Sequence, residues 1–294
     1  MDTRSGSLTI GDRTLGFVEG GDPDGFPVFY HHGTPSSGRL YRTWLEDASE
    51  KDLRLIAHSR PGYGDSTRQP GRSVADVAED VAAIADHLGV ERFTTWGLSG
   101  GGPHSLACAA LLPERVVAAA SVASIAPWDA EGLDITAGMG EDNVEEFVAA
   151  ARGEDALLPM LEEYRPMVLK GTPEGLLEMM NTVLSPVDRA LMSGEIATFM
   201  VEQSAFALRS GVNGWLDDDL AFTKPWGFDL ADISIPVLLT QGRHDLMVPV
   251  SHGEWLAAAI PGVDARLSDE DGHLTVAFER TSEIHDWLLQ HAGV

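Results

Sequence analysis

The sequence predicts an α/β protein whose mostly parallel sheet is interrupted, late in the chain, by a block of helices. From the N-terminus to about Ala126, short β-rich apolar runs alternate with segments of helical periodicity, the pattern of a parallel sheet covered on both faces. Between Pro127 and Leu230 the strand signal fades and helical spacing takes over, and after Pro236 the alternation returns. These shifts imply one sheet split by a lid: a core of residues 1–126 and 231–294, and a helical cap of residues 127–230.

In chain order, strands are expected at Thr14 to Glu19, Pro27 to His31, Leu53 to His58, Arg92 to Trp96 and Val116 to Ser124, the last Ala-rich. Val74, Val77, Val81, Ile84 and Leu88 recur at helical spacing between Ser73, an N-cap with Asp76 three residues on, and Gly89, a stop. The cap should hold helices at Glu154 to Leu169, Pro173 to Leu184 after Thr172, Pro186 to Met192 after Ser185, and Glu195 to Arg209. A strand at Val237 to Gln241, a helix at Ser251 to Ile260, a short strand at Ala265 to Leu267 and a closing helix at Val276 to His291 complete the reading.

Composition excludes several classes. Of 294 residues, 44% are hydrophobic and 22% charged, which rules out a disordered or collagen-like chain. Twenty Lys and Arg against 46 Asp and Glu leave a net charge of -26, which repels phosphate backbones and anionic membrane faces and reads as a solubility device. Neither nucleic acid nor membrane is an expected partner. Cys108 is alone in an apolar run and is read as a small core residue. With no signal-peptide stretch in Met1 to Gly16 and no bilayer-spanning run, a soluble cytoplasmic protein is expected.

Chemistry concentrates in Trp96-Gly97-Leu98-Ser99-Gly100-Gly101-Gly102, which follows an expected strand and precedes an expected helix, Pro103 to Leu112. That is G-x-S-x-G in a strand-turn-helix context, where small neighbours let a serine project from a sharp turn. A serine hydroxyl needs a base, and His273, in the loop Asp271-Gly272-His273-Leu274, is the candidate. Asp245, directly after the strand Val237 to Gln241, is the carboxylate expected to orient it, with Asp129 as the substitute. His31-His32-Gly33-Thr34-Pro35 follows the strand Pro27 to His31, so the N–H groups of Thr34 and Gly100 are the candidate oxyanion donors.

Together these residues resemble the α/β-hydrolase superfamily with a helical cap. The sequence is similar to its H-G-x-P motif at His32 to Pro35, its R-P-G-x-G-x-S turn at Arg60 to Ser66, and its elbow at Gly97 to Gly101. It also carries the G-x-x-D motif at Gly242 to Asp245 and the G-H motif at Gly272 to His273. The resemblance spans about Gly20 to Leu289 and implies a mostly parallel eight-stranded sheet with the cap inserted before its seventh strand, and a Ser-His-Asp site needing no cofactor. Serine at position 99 departs from the dehalogenases and epoxide hydrolases, which need an alkylated carboxylate. His-Gly-Thr-Pro and Gly-Leu-Ser-Gly-Gly depart from the loop and elbow of proline iminopeptidases.

Other motifs have plainer readings. Gly100 to Gly102 lack the Lys-Ser/Thr of a phosphate loop. His31 and His32 have no further ligands nominated by spacing, so no metal is expected, and His104 is read as packing or pocket wall. Asp217-Asp218-Asp219 lacks the spacing of a calcium loop and is expected to be a solvated turn.

Seven of nine methionines lie in the cap, a bias toward apolar ligands, and Trp128, Tyr164, Phe199, Phe206 and Trp215, with His32, are the candidate pocket residues. The cap's 20 acidic and 6 basic residues, a balance of -14, disfavour anionic substrates and would attract a free amine. The expected function is a serine hydrolase acting on a small or medium, largely apolar ester or lactone. A proline iminopeptidase-like aminopeptidase is the runner-up. A biosynthetic thioesterase or cyclase, and a non-catalytic binding protein on the same fold, are the remaining alternatives.

Overall fold

In the strand Phe26–His31 (β3), Val28 and Tyr30 point to one side of the sheet and Phe29 to the other, as a period of two dictates. Two apolar layers result. Val28 and Tyr30 pack with Trp44, Trp96, Leu98 and Leu288, whereas Phe29 packs with Val81, Ile84, Phe93 and Leu106. The computed structural model describes residues 3–293; Met1, Asp2 and Val294, at the ends of the expected core, lie outside the described residues.

Among these residues eight strands form one sheet. They are β1 (Arg4–Ile10), β2 (Arg13–Gly21), β3, β4 (Leu53–His58), β5 (Phe93–Leu98), β6 (Val116–Val122), β7 (Val237–Gly242) and β8 (Asp264–Ser268), in the order β1-β2-β4-β3-β5-β6-β7-β8. Only β2 runs antiparallel to its neighbours. From β3 the chain first adds β4 on one side and later β5 on the other, so the carboxyl ends of β3 and β5 flank the crevice where open α/β sheets hold ligands.

Helices α1 (Arg42–Glu50), α2 (Val77–His87) and α3 (Gly101–Leu111) connect the first strands. The Gly, Ala, Ser and Cys residues of α3 let it lie close on the sheet, with Cys108 fully buried. Ser73 and Asp76 form the expected capping box, ahead of a 3-10 turn that leads into α2. Between β6 and β7 come α4 (Glu141–Arg152), α5 (Glu154–Leu169), α6 (Pro173–Met179), α7 (Pro186–Leu191), α8 (Gly194–Ala207) and α9 (Asn213–Phe222). Thr172 and Ser185 cap α6 and α7 through their hydroxyls. Helix α10 (Val250–Ala259) follows β7, and α11 (Thr275–Phe278) and α12 (Thr281–Ala292) close the chain. No described helix is long and apolar enough to cross a membrane.

Several elements differ from expectation. Strand β1 is an edge whose outer side stays exposed, and its sequence RSGSLTI has few apolar residues to betray it. The acidic sequences of α1 and α4 hid them similarly. The helix expected to run through Leu184 ends at Met179, and the closing helix breaks between Phe278 and Thr281. The largest correction concerns Asp217 to Asp219, expected in a solvated turn: all three are buried on α9.

His31, His58 and His104 pack in contact at the carboxyl edge, with ring centroids of His31 5.8 Å from His58 and 6.4 Å from His104. Burial first, and then the nearby Arg60 and Arg72 guanidiniums, push His58 down to about 3; His31 and His104 are likewise well below 6.5, chiefly by burial. The unfolded chain therefore takes up protons that the folded one refuses. Stability is full above pH 6.5 and declines as pH falls toward the folded values, by about 1.4 kcal/mol per pH unit for each such group. Because neither ring nitrogen of His58 has a hydrogen-bond partner in the structure, His58→Leu sacrifices none. Urea unfolding at pH 7.5, 6, 5 and 4.5 should show His58→Leu with a shallower decline by about that slope; identical slopes would refute this assignment.

Candidate active site

Ser99 sits between β5 and α3 with φ of 56°, a left-handed conformation costly for a residue with a Cβ. The turn is over-determined by its surroundings. Ser99 N–H donates to Val122 O at 2.8 Å, and Gly102 N–H donates to Ser99 O at 2.8 Å. A Cβ on Gly97 would lie 2.0 Å from Gly101 O, and one on Gly101 would lie 2.1 Å from His31 O, so only glycine fits at either flank. The serine thus reaches the wall of a cavity of about 240 Å³ above the carboxyl ends of β3 and β5.

His273 lines the same cavity, delivered by the loop between β8 and α11. Its Nδ1 is 2.8 Å from Asp245 Oδ2, and both residues are buried. Asp245 is held by four donors: Met247 N–H and Val248 N–H to Oδ1, each at 2.8 Å, and Gln241 Nε2 at 3.2 Å beside His273 on Oδ2. Burial alone lowers an imidazole's proton affinity, but the charge and hydrogen bond of Asp245, with a contribution from Asp188, leave His273 above the usual 6.5. Asp129, the substitute acid, is exposed.

Gly100 and Thr34 lie against each other, since a Cβ on Gly100 would be 2.5 Å from Thr34 Oγ1. Within the described residues, neither backbone N–H donates to another protein group. The Thr34 loop is fastened from behind by Arg60, fully buried, which donates to His32 O at 2.5 Å, Gly33 O at 3.0 Å and Thr34 Oγ1 at 3.0 Å. Asp218 of α9 balances that charge. It accepts from Arg60 Nη2 at 2.6 Å, Arg72 Nη2 at 2.7 Å, Tyr63 Oη at 2.9 Å and Thr34 Oγ1 at 2.7 Å. Burial would raise the Asp218 carboxyl, yet the two guanidiniums hold it well below the usual carboxylate range. His32 accepts from Arg60 N–H at Nε2 and donates from Nδ1 to Gly33 O at 2.7 Å, a pattern that only the neutral Nδ1–H tautomer satisfies.

The cavity's walls only partly follow the expected set. Tyr164 and Trp215 line it, with Met179, Met180 and Met200 from between β6 and β7 and Met247 from after β7. Four expected pocket residues lie elsewhere. His32 is behind the Thr34 loop, Trp128 stacks on Phe147, Phe199 packs on Tyr41 and Phe278, and Phe206 lies beneath the guanidiniums of Arg39 and Arg209. On α8 it is Met200, Gln203 and Ser204 that face the cavity, one helical face, while the bulky aromatics point off it. Asp142 and Glu146 add an acidic edge, and Trp215 Nε1 donates to Glu146 at 2.8 Å. Burial first, and then the charge of Asp142, raise Glu146; burial first, and then the charge and hydrogen bond of Glu146, raise Asp219. Among the described residues, no cluster of three His, Cys, Asp or Glu is arranged to hold a metal.

Sequence reasoning missed Asp188 and Asp218. The one available signal for Asp218 was an acidic run flanked by Trp215, Leu216, Leu220 and Phe222, an apolar setting unlike a solvated turn.

A mostly parallel sheet with a serine at its central strand-to-helix turn and a histidine-carboxylate pair opposite defines a hydrolase of the α/β class. A family model for the alpha/beta hydrolase fold matches residues 27–279, and the chain belongs to that family; it is a hydrolase enzyme. An uncharacterized hydrolase of Bacillus subtilis (strain 168) is 27% identical, with 98% of both chains covered. A bifunctional esterase/perhydrolase of Acinetobacter calcoaceticus is 27% identical over 83% of each. The fold matches that of a thermophilic esterase from Thermogutta terrifontis with a TM-score of 0.71, at 23% identity over 98% of this chain and 99% of that one.

Asp218→Ala should cost about 3–5 kcal/mol, because Arg60 and Arg72 would be left buried without a counter-charge. Urea unfolding at pH 7.5 checks this, and a loss below about 1 kcal/mol would show that the pair carries little of the loop's anchorage.

Proposed function

We propose that this hydrolase cleaves a small to medium, largely apolar carboxylic ester or lactone through an acyl-enzyme on Ser99. The observation that carries the reading is the 2.8 Å His273–Asp245 pair sharing one cavity with a serine held in a left-handed turn. In this mechanism His273 Nε2 takes the Ser99 proton as Oγ attacks the substrate carbonyl. The N–H groups of Thr34 and Gly100 then hold the oxyanion. Collapse expels the alcohol, which receives the proton from His273; a water, deprotonated by the same imidazole, releases the acid and restores Ser99. Asp245 keeps Nδ1–H in place and stabilises the imidazolium.

The walls support this substrate class. Met179, Met180, Val168, Leu176, Met200 and Phe278 present an apolar, adaptable surface, and a volume of about 240 Å³ favours short acyl and alcohol groups. The acidic edge of Asp142 and Glu146 disfavours anionic substrates and supports, as a second reading, an aminopeptidase that would seat a free amine there. Burial raises the Glu146 carboxyl and so disfavours its charged form, which weakens that reading.

Ser99→Ala should lower p-nitrophenyl acetate or butyrate turnover by at least about a thousandfold; unchanged turnover would sink the assignment. The wild-type kcat/KM for those esters should rise with pH through a midpoint above 6.5, since the base must be neutral and Asp245 raises its proton affinity. A prolyl p-nitroanilide run alongside decides between readings: efficient cleavage would favour the aminopeptidase, and its absence with ester turnover the esterase or lactonase.

A further inference from the structure

The loop that carries His273 is gripped from the segment between β6 and β7 by Asp188, on α7. Asp188 is fully buried, and four donors meet its carboxylate. Oδ2 accepts from His273 N–H at 2.9 Å and from Ser185 Oγ at 2.7 Å; Oδ1 accepts from Leu274 N–H at 2.7 Å and Thr275 N–H at 3.1 Å. Three consecutive amides of the core thus end on one side chain of the cap. Approach is so close that a Cβ on Gly272 would lie 2.2 Å from Oδ2. Within the described residues no arginine, lysine or histidine forms an ion pair with Asp188, so the charge is stabilised by backbone and hydroxyl dipoles alone.

A neutral acceptor would fasten the same loop with less desolvation, so the retained charge has a use beyond fastening. The charged groups that bear on His273 are Asp245 and Asp188; Asp271, two residues away, is engaged by Arg280 at 3.1 Å. We propose that Asp188 is a positioning residue for His273: it fixes the backbone of residues 273–275 so that the imidazole stays between Asp245 and Ser99, and its charge stabilises the imidazolium formed when Ser99 gives up its proton. The proposal rests on the reading of His273 as the base. It makes the cap part of the catalytic apparatus, because α7 must be docked for the base to be seated.

Asp188→Asn keeps the size and one acceptor oxygen but removes the charge and turns an N–H₂ toward amide donors. For p-nitrophenyl acetate, kcat should fall about 10- to 100-fold with KM within about threefold. The acid limb of kcat/KM should move to lower pH, because His273 loses a neighbour that favours its protonated form. A purely structural tether would leave that limb in place. Folded Asp188→Asn with wild-type kcat and an unmoved limb would overturn the proposal. Ser185→Ala, which removes a single donor and leaves the amide contacts, covers the case in which Asp188→Asn does not fold: kcat should drop about threefold at constant KM, and an unchanged kcat counts against the proposal. Two controls separate this failure from failure of the hydrolase reading. A fluorophosphonate must add mass at Ser99 in wild type, and absence of that adduct would fail the nucleophile itself. NMR titration of the His273 imidazole in wild type and Asp188→Asn reads the coupling without turnover, and equal midpoints would refute it.

Discussion

The Arg60–Asp218 pair is the constraint from which the rest of the site hangs. Arg60 is almost completely enclosed, and three of its hydrogen bonds end on the carbonyls and hydroxyl of His32, Gly33 and Thr34. A guanidinium in that place would be untenable without a counter-charge, and a buried pair survives only when its remaining donors and acceptors are satisfied. Asp218 meets that condition by taking Arg60, Arg72, Tyr63 and Thr34 at once. The loop that faces Ser99 is therefore shaped from behind by electrostatics, while its front lines the cavity.

The same logic recurs on the other side of the cavity. Asp218 comes from α9 and reaches the loop after β3; Asp188 comes from α7 and reaches the loop after β8. Both carboxylates belong to the segment between β6 and β7; Asp218 ends on two guanidiniums and two hydroxyls, Asp188 on three amides and a hydroxyl. Those helices thus roof the cavity and also clamp its floor at two points. The two grips differ in kind. One is a saturated ion cluster whose charges cancel locally, and the other is a lone anion whose field is left to act on its neighbour.

Legibility in the sequence followed the range of the constraint. Gly97, Gly101 and the His-Gly turn at residues 32 and 33 could be read because local backbone geometry dictates them, and Asp245 because it directly follows a strand. Arg60 and Asp218 are 158 positions apart, and Asp188 is 85 from His273, so no local pattern could pair them. The pocket wall failed for a different reason. Choosing Phe199 and Phe206 by residue type ignored which face of α8 they occupy, whereas Met200, Gln203 and Ser204 share the inward one. Strand β1 escaped notice because an edge strand needs only a thin apolar side.

The acidity of residues 127–230 divides into two kinds. Its balance of -14 suggested a broad field repelling anions, a surface property. Yet Asp188, Asp217, Asp218 and Asp219 are all buried: Asp188 against amides, Asp217 on Arg68, Asp218 on the Arg60–Arg72 pair, and Asp219 beside Glu146, where burial raises its carboxyl. Because these four charges are neutralised or enclosed, they contribute little to long-range steering. What faces the cavity is the short-range edge of Asp142 and Glu146 beside a thioether-rich wall. On the proposed reading, discrimination against anionic substrates would be set at this edge inside the cavity, where low dielectric strengthens a carboxylate's field, rather than by the cap's total charge.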